Sequence, residues 1–311
     1  MTDSSLPLIN ILMGVKNGER FLLPQLESIF NQHYPNLRLW VSDDGSTGNT
    51  LPLLIDQQKQ VGTTRLSILS GPQRGSAANF LSLILNPNIE GDYFAFCDQD
   101  DIWEKDKLTR AINYLKTIEN NQPALYCSRT ELVDSKGKFL GLSPLVKKKP
   151  SFANALVQNL ASGNTMVMNK AARNLLQSVS QNIQVYHHDW WAYLVISAVE
   201  GKIFYDTLPS LKYRQHSHNL VGANYGWIAK LTRIKLLFKG YLRKWNESNI
   251  RGLTQMQSYL TSRNQHIFHI FCAARNKQLL PRVWGLWKAG IYRQTLSGNL
   301  GLIVAAIFQR I

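Results

Sequence analysis

Tyr93-Phe94-Ala95-Phe96-Cys97-Asp98-Gln99-Asp100-Asp101 is an apolar run that gives way abruptly to acids. Apolar residues without a polar alternation predict a strand covered on both faces, as in a parallel sheet, rather than one with a wet side. The same grammar recurs upstream. Leu8 to Met13 is apolar and stops at Gly14, Leu37 to Ser42 stops at Asp43-Asp44-Gly45-Ser46, and Leu66 to Leu69 is a further short run. Between these runs lie helix-like stretches from about Phe21 to Asn31, ending near His33-Tyr34-Pro35, from about Thr50 to Gln60, and from near Ala77. Strands alternating with helices predict an α/β fold with a mostly parallel central sheet flanked by helices. In such sheets ligands bind beyond the carboxyl ends of the strands, so function is expected in the loops after Met13, Ser42 and Cys97.

Beyond Asp101 the pattern is mixed. A helix is expected from Lys105 to Ile118, a strand at Ala124 to Ser128 and a turn at Asp134-Ser135-Lys136-Gly137, while Pro144 to Pro150, carrying Lys147-Lys148-Lys149, reads as a flexible connection or lid. After Val221 the reading is helical. From Ile228 to Trp245, residues Ile228, Leu231, Ile234, Phe238, Tyr241, Leu242 and Trp245 fall on one face at three- and four-residue spacing, with Lys and Arg elsewhere. A chain of 311 residues, 44% of them hydrophobic, buries a large core and is not disordered. The division expected is a catalytic domain over residues 1–223 and a basic, amphipathic helical region over 224–311.

The formal charge of +15 is unevenly spread: residues 219–311 hold 14 basic and one acidic side chain, Glu247, against 21 and 19 before them. Such an excess marks a segment that meets a polyanion, either nucleic acid or an anionic membrane surface. Its Trp, Tyr, Leu and Ile content is unlike a merely solvated tail. Cys97, Cys127 and Cys272 are far apart, which suggests neither zinc ligation nor a disulfide framework and fits a reducing cytoplasm. Met1 to Pro7 does not read as a signal peptide. The late apolar run Leu300 to Phe308 is far short of the roughly 20 residues that cross a bilayer.

Asp98, Asp100 and Asp101 are crowded carboxylates that repel unless something neutralises them, and a divalent cation, Mg²⁺ or Mn²⁺, does so while bridging to substrate phosphates. On that reading Asp100 is a direct ligand, Asp98 contacts the ribose or the metal through water, and Asp101 supports the loop. The pattern fits equally a helix N-terminus with Asp101 as the cap. Asp43-Asp44-Gly45-Ser46-Thr47 ends another expected strand of the same sheet edge, where a buried Asp accepts from a uracil or thymine imide N–H and from a ribose hydroxyl. An Asx turn before a helix is the alternative there.

Taken together these segments resemble the family 2 inverting glycosyltransferases of GT-A fold. The matching residues are Gly14-Val15-Lys16-Asn17-Gly18-Glu19, Gln25-Leu26-Glu27-Ser28-Ile29 with Gln32 and Tyr34-Pro35, Ser42 to Thr47, Asp98-Gln99-Asp100-Asp101-Ile102-Trp103, His188-Asp189-Trp190-Trp191, and Tyr213-Arg214-Gln215-His216. The resemblance runs from about Leu8 to Ala223. Within the family, the ending Tyr-Arg-Gln-His followed by Asn219-Leu220-Val221-Gly222-Ala223 looks most like rhamnosyltransferases of bacterial surface polysaccharide or lipopolysaccharide synthesis, which implies dTDP-L-rhamnose as donor, a UDP-sugar being the other choice.

By resemblance, Asp189 is the catalytic base at the start of a helix, and the donor is contacted by Gly14, Asn17, Glu19, Asp43, Asp44, Asn79, Asp98, Gln99, Trp190 and Arg214. His216 joins Asp100 and Asp98 as a metal ligand or touches the diphosphate. Gly75 fits the small-residue loop near the nucleotide, and Gly163-Asn164-Thr165-Met166 the segment contacting donor sugar or acceptor. Two positions depart from the family: His188 stands where relatives often carry Glu, and Gly48-Asn49 where they commonly carry an acid.

The Gln-x-x-Arg-Trp motif of processive members is absent, so a single addition is expected, onto a glycan or lipid-linked acceptor at the inner face of the cytoplasmic membrane. The amphipathic Ile228 to Trp245 stretch and the segment from Trp284 and Trp287 to Ile311 suit helices lying on anionic lipid. Two rivals use the basic third differently: a nucleic-acid-binding protein, which leaves the acidic strand ends without purpose, and an inactive membrane-bound scaffold. No nucleic acid partner is expected.

Overall fold

The computed structural model describes residues 6–216 and 239–311. The motif Asn219 to Ala223, the expected domain boundary at 223/224, and most of the amphipathic stretch that starts at Ile228 lie outside the described residues.

Four apolar strands form the half of the sheet that the sequence announces: β1 (Ile9–Val15), β2 (Leu37–Asp43), β3 (Leu66–Ser70) and β4 (Tyr93–Cys97). They run parallel in the order β3-β2-β1-β4. Right-handed crossovers through helices are the usual way to connect such strands, and here α1 (Leu22–Phe30), α2 (Thr50–Val61) and α3 (Ser76–Leu85) occupy the connections. Ile9, Ile11, Leu12 and Met13 are fully buried, so β1 is covered on both faces as its unbroken apolar sequence requires.

The second half of the sheet is mixed. After β5 (Ile102–Trp103) and α4 (Lys107–Leu115) come β6 (Ala124–Val133), β7 (Phe139–Leu142), the short α5 (Phe152–Ala155), a 3₁₀ turn (Gly163–Thr165), β8 (Val167–Asn169), α6 (Lys170–Val179), α7 (His188–Ala198) and β9 (Lys202–Arg214). The order continues β4-β8-β6-β9-β5, with β7 on β6. Strand β8 is antiparallel to both β4 and β6, and β6 is parallel to β9. Hence β4, β6 and β9 all point the same way, and the ends of β1, β2, β4 and β9 share one edge.

The C-terminal helices are α8 (Tyr241–Gln255), α9 (Ser262–Arg275), α10 (Leu279–Lys288) and α11 (Leu296–Ile307). They pack into the same apolar cluster as α7: Leu253, Phe268 and Phe271 are buried with Trp191, Tyr193 and Leu194. Each such side chain, fully buried, stabilises the fold by about 1.5–3 kcal/mol. The stretch Pro144 to Pro150, expected as a flexible connection or lid, is tied down at its far end. Lys148 N donates to Gln294 Oε1 at 2.9 Å, and Tyr292 Oη donates to the Lys149 carbonyl at 2.6 Å. No helix of the described residues is long and apolar enough to cross a membrane.

Candidate active site

The acidic loop owes its place to a strand crossing. From the end of β4 the chain passes through Asp98 to Asp101 into β5, which pairs antiparallel with the end of β9, Ile102 opposite Lys212 and Trp103 opposite Leu211. That register sets the residues after β9 beside the acids. His216 Nε2 lies 2.7 Å from Asp100 Oδ2, and its ring stacks on Phe21 at 5.1 Å between centroids. Arg214 is buried beneath the loop: its Nε donates to the Asp100 carbonyl at 3.0 Å, its Nη1 to the Ser135 carbonyl at 3.2 Å, and its backbone N–H to Asp101 Oδ1 at 3.3 Å. The guanidinium expected to contact the donor is thus engaged in holding the loop.

Asp101 is fully buried and is not a helix cap. Helix α4 begins later, after Asp106, and Asp101 instead accepts from Asn164 Nδ2 at 2.6 Å. Burial, then the Asp100 and Asp98 carboxylates, holds its proton affinity well above the ordinary carboxylate range. Asp98 is pushed up to about 7 by burial first, then by Asp100 and Asp189.

A buried cation that the sequence reading missed, Lys107, stands against this charge. Its Nζ donates to the Asn164 carbonyl and lies 3.9 Å from the Trp103 ring centroid. Burial lowers its pKa to about 7, against the pull of Cys97, Asp101 and Asp98. The signal for it was present: Lys107 shares the buried face of α4 with Leu108, Ala111, Ile112 and Leu115, where a solvated lysine has no place.

The turn Gly163–Thr165 connects these acids to the expected base. While Asn164 binds Asp101 and Lys107, Gly163 N donates to Asp189 Oδ2 at 3.1 Å, and Asp189 Oδ1 accepts from Trp190 N at 2.7 Å. Asp189 is therefore fixed by two backbone donors at the start of α7. Its neighbour His188 stacks on Phe80 at 3.9 Å and meets Phe96 edge-on at 4.8 Å. Burial lowers the His188 pKa to about 4, so the imidazole is neutral. A Cβ on Gly163 would come 2.9 Å from His188 Nε2, so only glycine allows this approach. Trp190, expected as a donor contact, is buried with its Nε1 donating to the Ala155 carbonyl at 2.7 Å, which makes it a packing residue of α7.

On the other side, the loops after β1 and β2 lock together. Asn17, in the left-handed region at φ 50°, donates from its N–H to Ser46 Oγ at 2.9 Å and accepts from Thr47 N at 2.9 Å. Asp43 accepts from Ser46 N at 3.2 and 3.3 Å and from Ser46 Oγ, an Asx-type turn at the strand end. Asp44 is buried, accepting from Gln73 N at 2.6 Å and Gly75 N at 3.2 Å, which shapes the loop before α3. Asn79 exchanges two bonds with Ser42, and Gly14 leaves room for it: a Cβ there would lie 3.1 Å from Asn79 Nδ2. Gln99 ties the acidic loop to β1 through Lys16 N at 2.8 Å and the Lys16 carbonyl at 3.2 Å. Glu19 accepts from Thr50 Oγ1 at 2.6 Å and passes so near Gly48 that a Cβ there would sit 2.8 Å from Glu19 Oε1. The missing acid at position 48 therefore leaves space for Glu19 to approach.

Among the described residues no group of three or more His, Cys, Asp or Glu side chains forms a ready cage for a metal. The donor set nonetheless fits a divalent cation of the kind that borrows ligands from phosphate: one carboxylate and one imidazole at Asp100 and His216, backed by carboxylates whose crowding and burial raise the cost of ionisation. What the edge offers chemically is a carboxylate and an imidazole, Asp100 and His216, that could share a cation, and a second carboxylate, Asp189, oriented by two backbone donors.

The family model described as glycosyl transferase family 2 matches residues 10–193. The dTDP-rhamnosyl transferase RfbG of Shigella flexneri is 30% identical, the match covering 75% of this chain and 81% of that protein. Among solved structures, residues 1–349 of TarS from S. aureus superpose with a TM-score of 0.54 at 13% identity, covering 98% of this chain and 81% of that one. The mannosyltransferase PcManGT of Pyrobaculum calidifontis, solved with GDP-Man and Mn²⁺, gives 0.51 at 16%, with 99% and 88% covered. The fold is that of the GT-A glycosyltransferases.

Proposed function

The chain belongs to glycosyl transferase family 2, as a glycosyltransferase of GT-A fold, and from that premise we propose that it transfers L-rhamnose from dTDP-L-rhamnose, with inversion and one residue at a time, to a bacterial cell-surface glycan or lipid-linked acceptor. The observation that carries the reading is the sheet edge itself: Asp100 beside His216, Asp43 and Asp44 at the end of β2, and Asp189 held by Gly163 and Trp190 backbone donors across the acidic loop. The choice of rhamnose is supported by the relative named for dTDP-rhamnosyl transfer.

In this reading the acceptor hydroxyl attacks the anomeric carbon while the bond to the diphosphate oxygen breaks on the opposite face. Asp189 takes the hydroxyl proton. Its two backbone donors keep the carboxylate in one orientation, which removes a reorganisation cost from the proton transfer. Asp100 and His216 would hold a divalent cation, Mg²⁺ or Mn²⁺, whose charge when bound stabilises the departing dTDP. Asp98 and Gln99 shape the floor beneath the diphosphate, and the loops bearing Asn17, Asp43, Asp44 and Asn79 receive the nucleoside. The domain that does this spans about residues 1–223, at the inner face of the cytoplasmic membrane where lipid-linked acceptors are presented.

A thermal-shift panel of sugar nucleotides with Mn²⁺ tests the donor and the metal together. Stabilisation by dTDP-rhamnose but not by UDP-sugars is expected, abolished by Asp100→Ala. Asp189→Asn retains the shift and loses about 10²–10⁴-fold in transfer rate. Stabilisation by UDP-sugars alone would overturn the rhamnose assignment, and an Asp189→Asn enzyme of undiminished rate would overturn the base.

A further inference from the structure

The last two helices turn apolar side chains toward solvent. On α10, Leu280, Trp284 and Trp287 recur at four- and three-residue spacing and are exposed, Leu280 at 80% and Trp287 at 77%. On α11, Leu296, Leu300, Ile303 and Ile307 do the same, Leu296 at 86%. The opposite faces of both helices are the ones that pack inward, through Arg282 and Leu286 on α10 and Leu302, Ala305 and Ala306 on α11. No charged side chain occurs between Arg293 and Arg310, so α11 lacks the polar face that a solvated surface helix carries. Scattered exposed leucines are ordinary, but two packed helices that each present an apolar row are an interaction surface.

Charge identifies what covers it. Residues 219–311 hold 14 cationic side chains against the single acid Glu247, and that acid is already paired with Arg243 at 2.8 Å. Lys277 and Lys288 are exposed at the rim of α10, with Lys288 Nζ 5.2 Å from the Trp284 ring centroid. Tryptophan with adjacent lysine is the pairing that suits a lipid interface, the indole at headgroup depth and the ammonium against phosphate. Neither helix, of 10 and 12 residues, is long enough to span the hydrocarbon.

We propose that α10 and α11 form a monotopic docking surface that inserts its Trp and Leu side chains into the headgroup layer of an anionic lipid bilayer. This deepens the reading of a lipid-linked acceptor given above and rests on it only for its purpose. The link between the surface and the site is physical. The turn joining α10 to α11 binds α5 itself, with Asn154 Nδ2 donating to the Tyr292 carbonyl at 3.0 Å, and the carbonyl of Ala155 on α5 accepts from Trp190 at the start of α7. The bilayer and Asp189 are therefore held in a fixed relation through two short contacts.

Flotation of the full chain with vesicles of equal parts phosphatidylcholine and phosphatidylglycerol tests this without any donor, so its failure and that of the transfer reading are separable. The wild type is expected to rise with these vesicles, and less so with phosphatidylcholine alone or at high salt. Trp284→Ser with Trp287→Ser should lower the bound fraction about tenfold with an unchanged melting temperature, and the independent pair Leu280→Ser with Leu296→Ser should do the same. A wild type that fails to float with the anionic vesicles overturns the proposal. So does a folded double variant that floats as the wild type does, or a wild-type dimer that the Trp pair converts to monomers, since a second copy would then cover the face.

Discussion

His188 shows what one residue's departure from a family pattern does physically. Half-buried and held between Phe80 and Phe96, it has its pKa lowered to about 4 by desolvation. In the unfolded chain an imidazole titrates near 6.5, so between about 6.5 and 4 the unfolded state binds a proton that the folded state refuses, and stability falls as pH falls through that window. Taken whole, the shift corresponds to at most about 3 kcal/mol below pH 4. His188→Phe preserves the stack and removes the titration. Its melting temperature is expected to drop less than that of the wild type between pH 6.5 and 4, and parallel pH profiles for the two would show that His188 is not the titrating group. By resemblance the sequence named Asp189 as the base and marked His188 as a departure, but gave the imidazole no place. That place depends on Phe80 and Phe96, which come from α3 and β4 and are adjacent to His188 only in three dimensions.

At the scale of elements, strand ends were readable because apolar runs stop sharply at acids, and helices were readable from their spacing. The turn Gly163–Thr165 was harder. Its sequence has no catalytic residue type, and its importance comes from being the one short element that binds Asp101 and Lys107 through Asn164 and Asp189 through Gly163. Lys107 likewise hid in a helix start rich in charge, although its position on the apolar face of α4 marked it. Lys107→Met takes the ammonium away from Asp98 and Asp101 and removes a donor to the turn. Breaking a buried charge group by removing one partner costs about 3–5 kcal/mol. Urea unfolding should show that loss, and turnover should fall with it as the turn that orients Asp189 loosens. A variant as stable as the wild type would mean that the carboxylates are already protonated without Lys107.

Across the whole molecule, the parallel half of the sheet follows from apolar runs alternating with helix-like stretches, whereas the union of the sequence's two parts does not. Its basic last third reads as a separate helical region, yet α8 lies directly on α7, the helix whose first turn carries Asp189. Gly252 of α8 is buried, and a Cβ there would come 2.6 Å from Trp191 Cη2 and 2.8 Å from its Cζ3. Trp191 is itself fully buried and donates from Nε1 to Ser180 Oγ at 2.8 Å, so it has little room to yield. Gly252→Val therefore forces either α8 outward or α7 inward, an overpacking expected to cost about 1–3 kcal/mol. The two responses differ in their effect on the site. If α8 yields, stability falls and turnover per folded molecule is unchanged. If α7 yields, Asp189 shifts with it, and kcat falls while KM for the donor holds, because the loops after β1 and β2 are locked to each other through Asn17, Ser46 and Thr47. The helix α7 is the more constrained of the two, gripped by Ala155, Ser180 and the buried cluster around Tyr193, so the first outcome is expected: a lowered urea midpoint with kcat retained. A fall in kcat at full stability would reverse that order and make α8 a positioning element for the base.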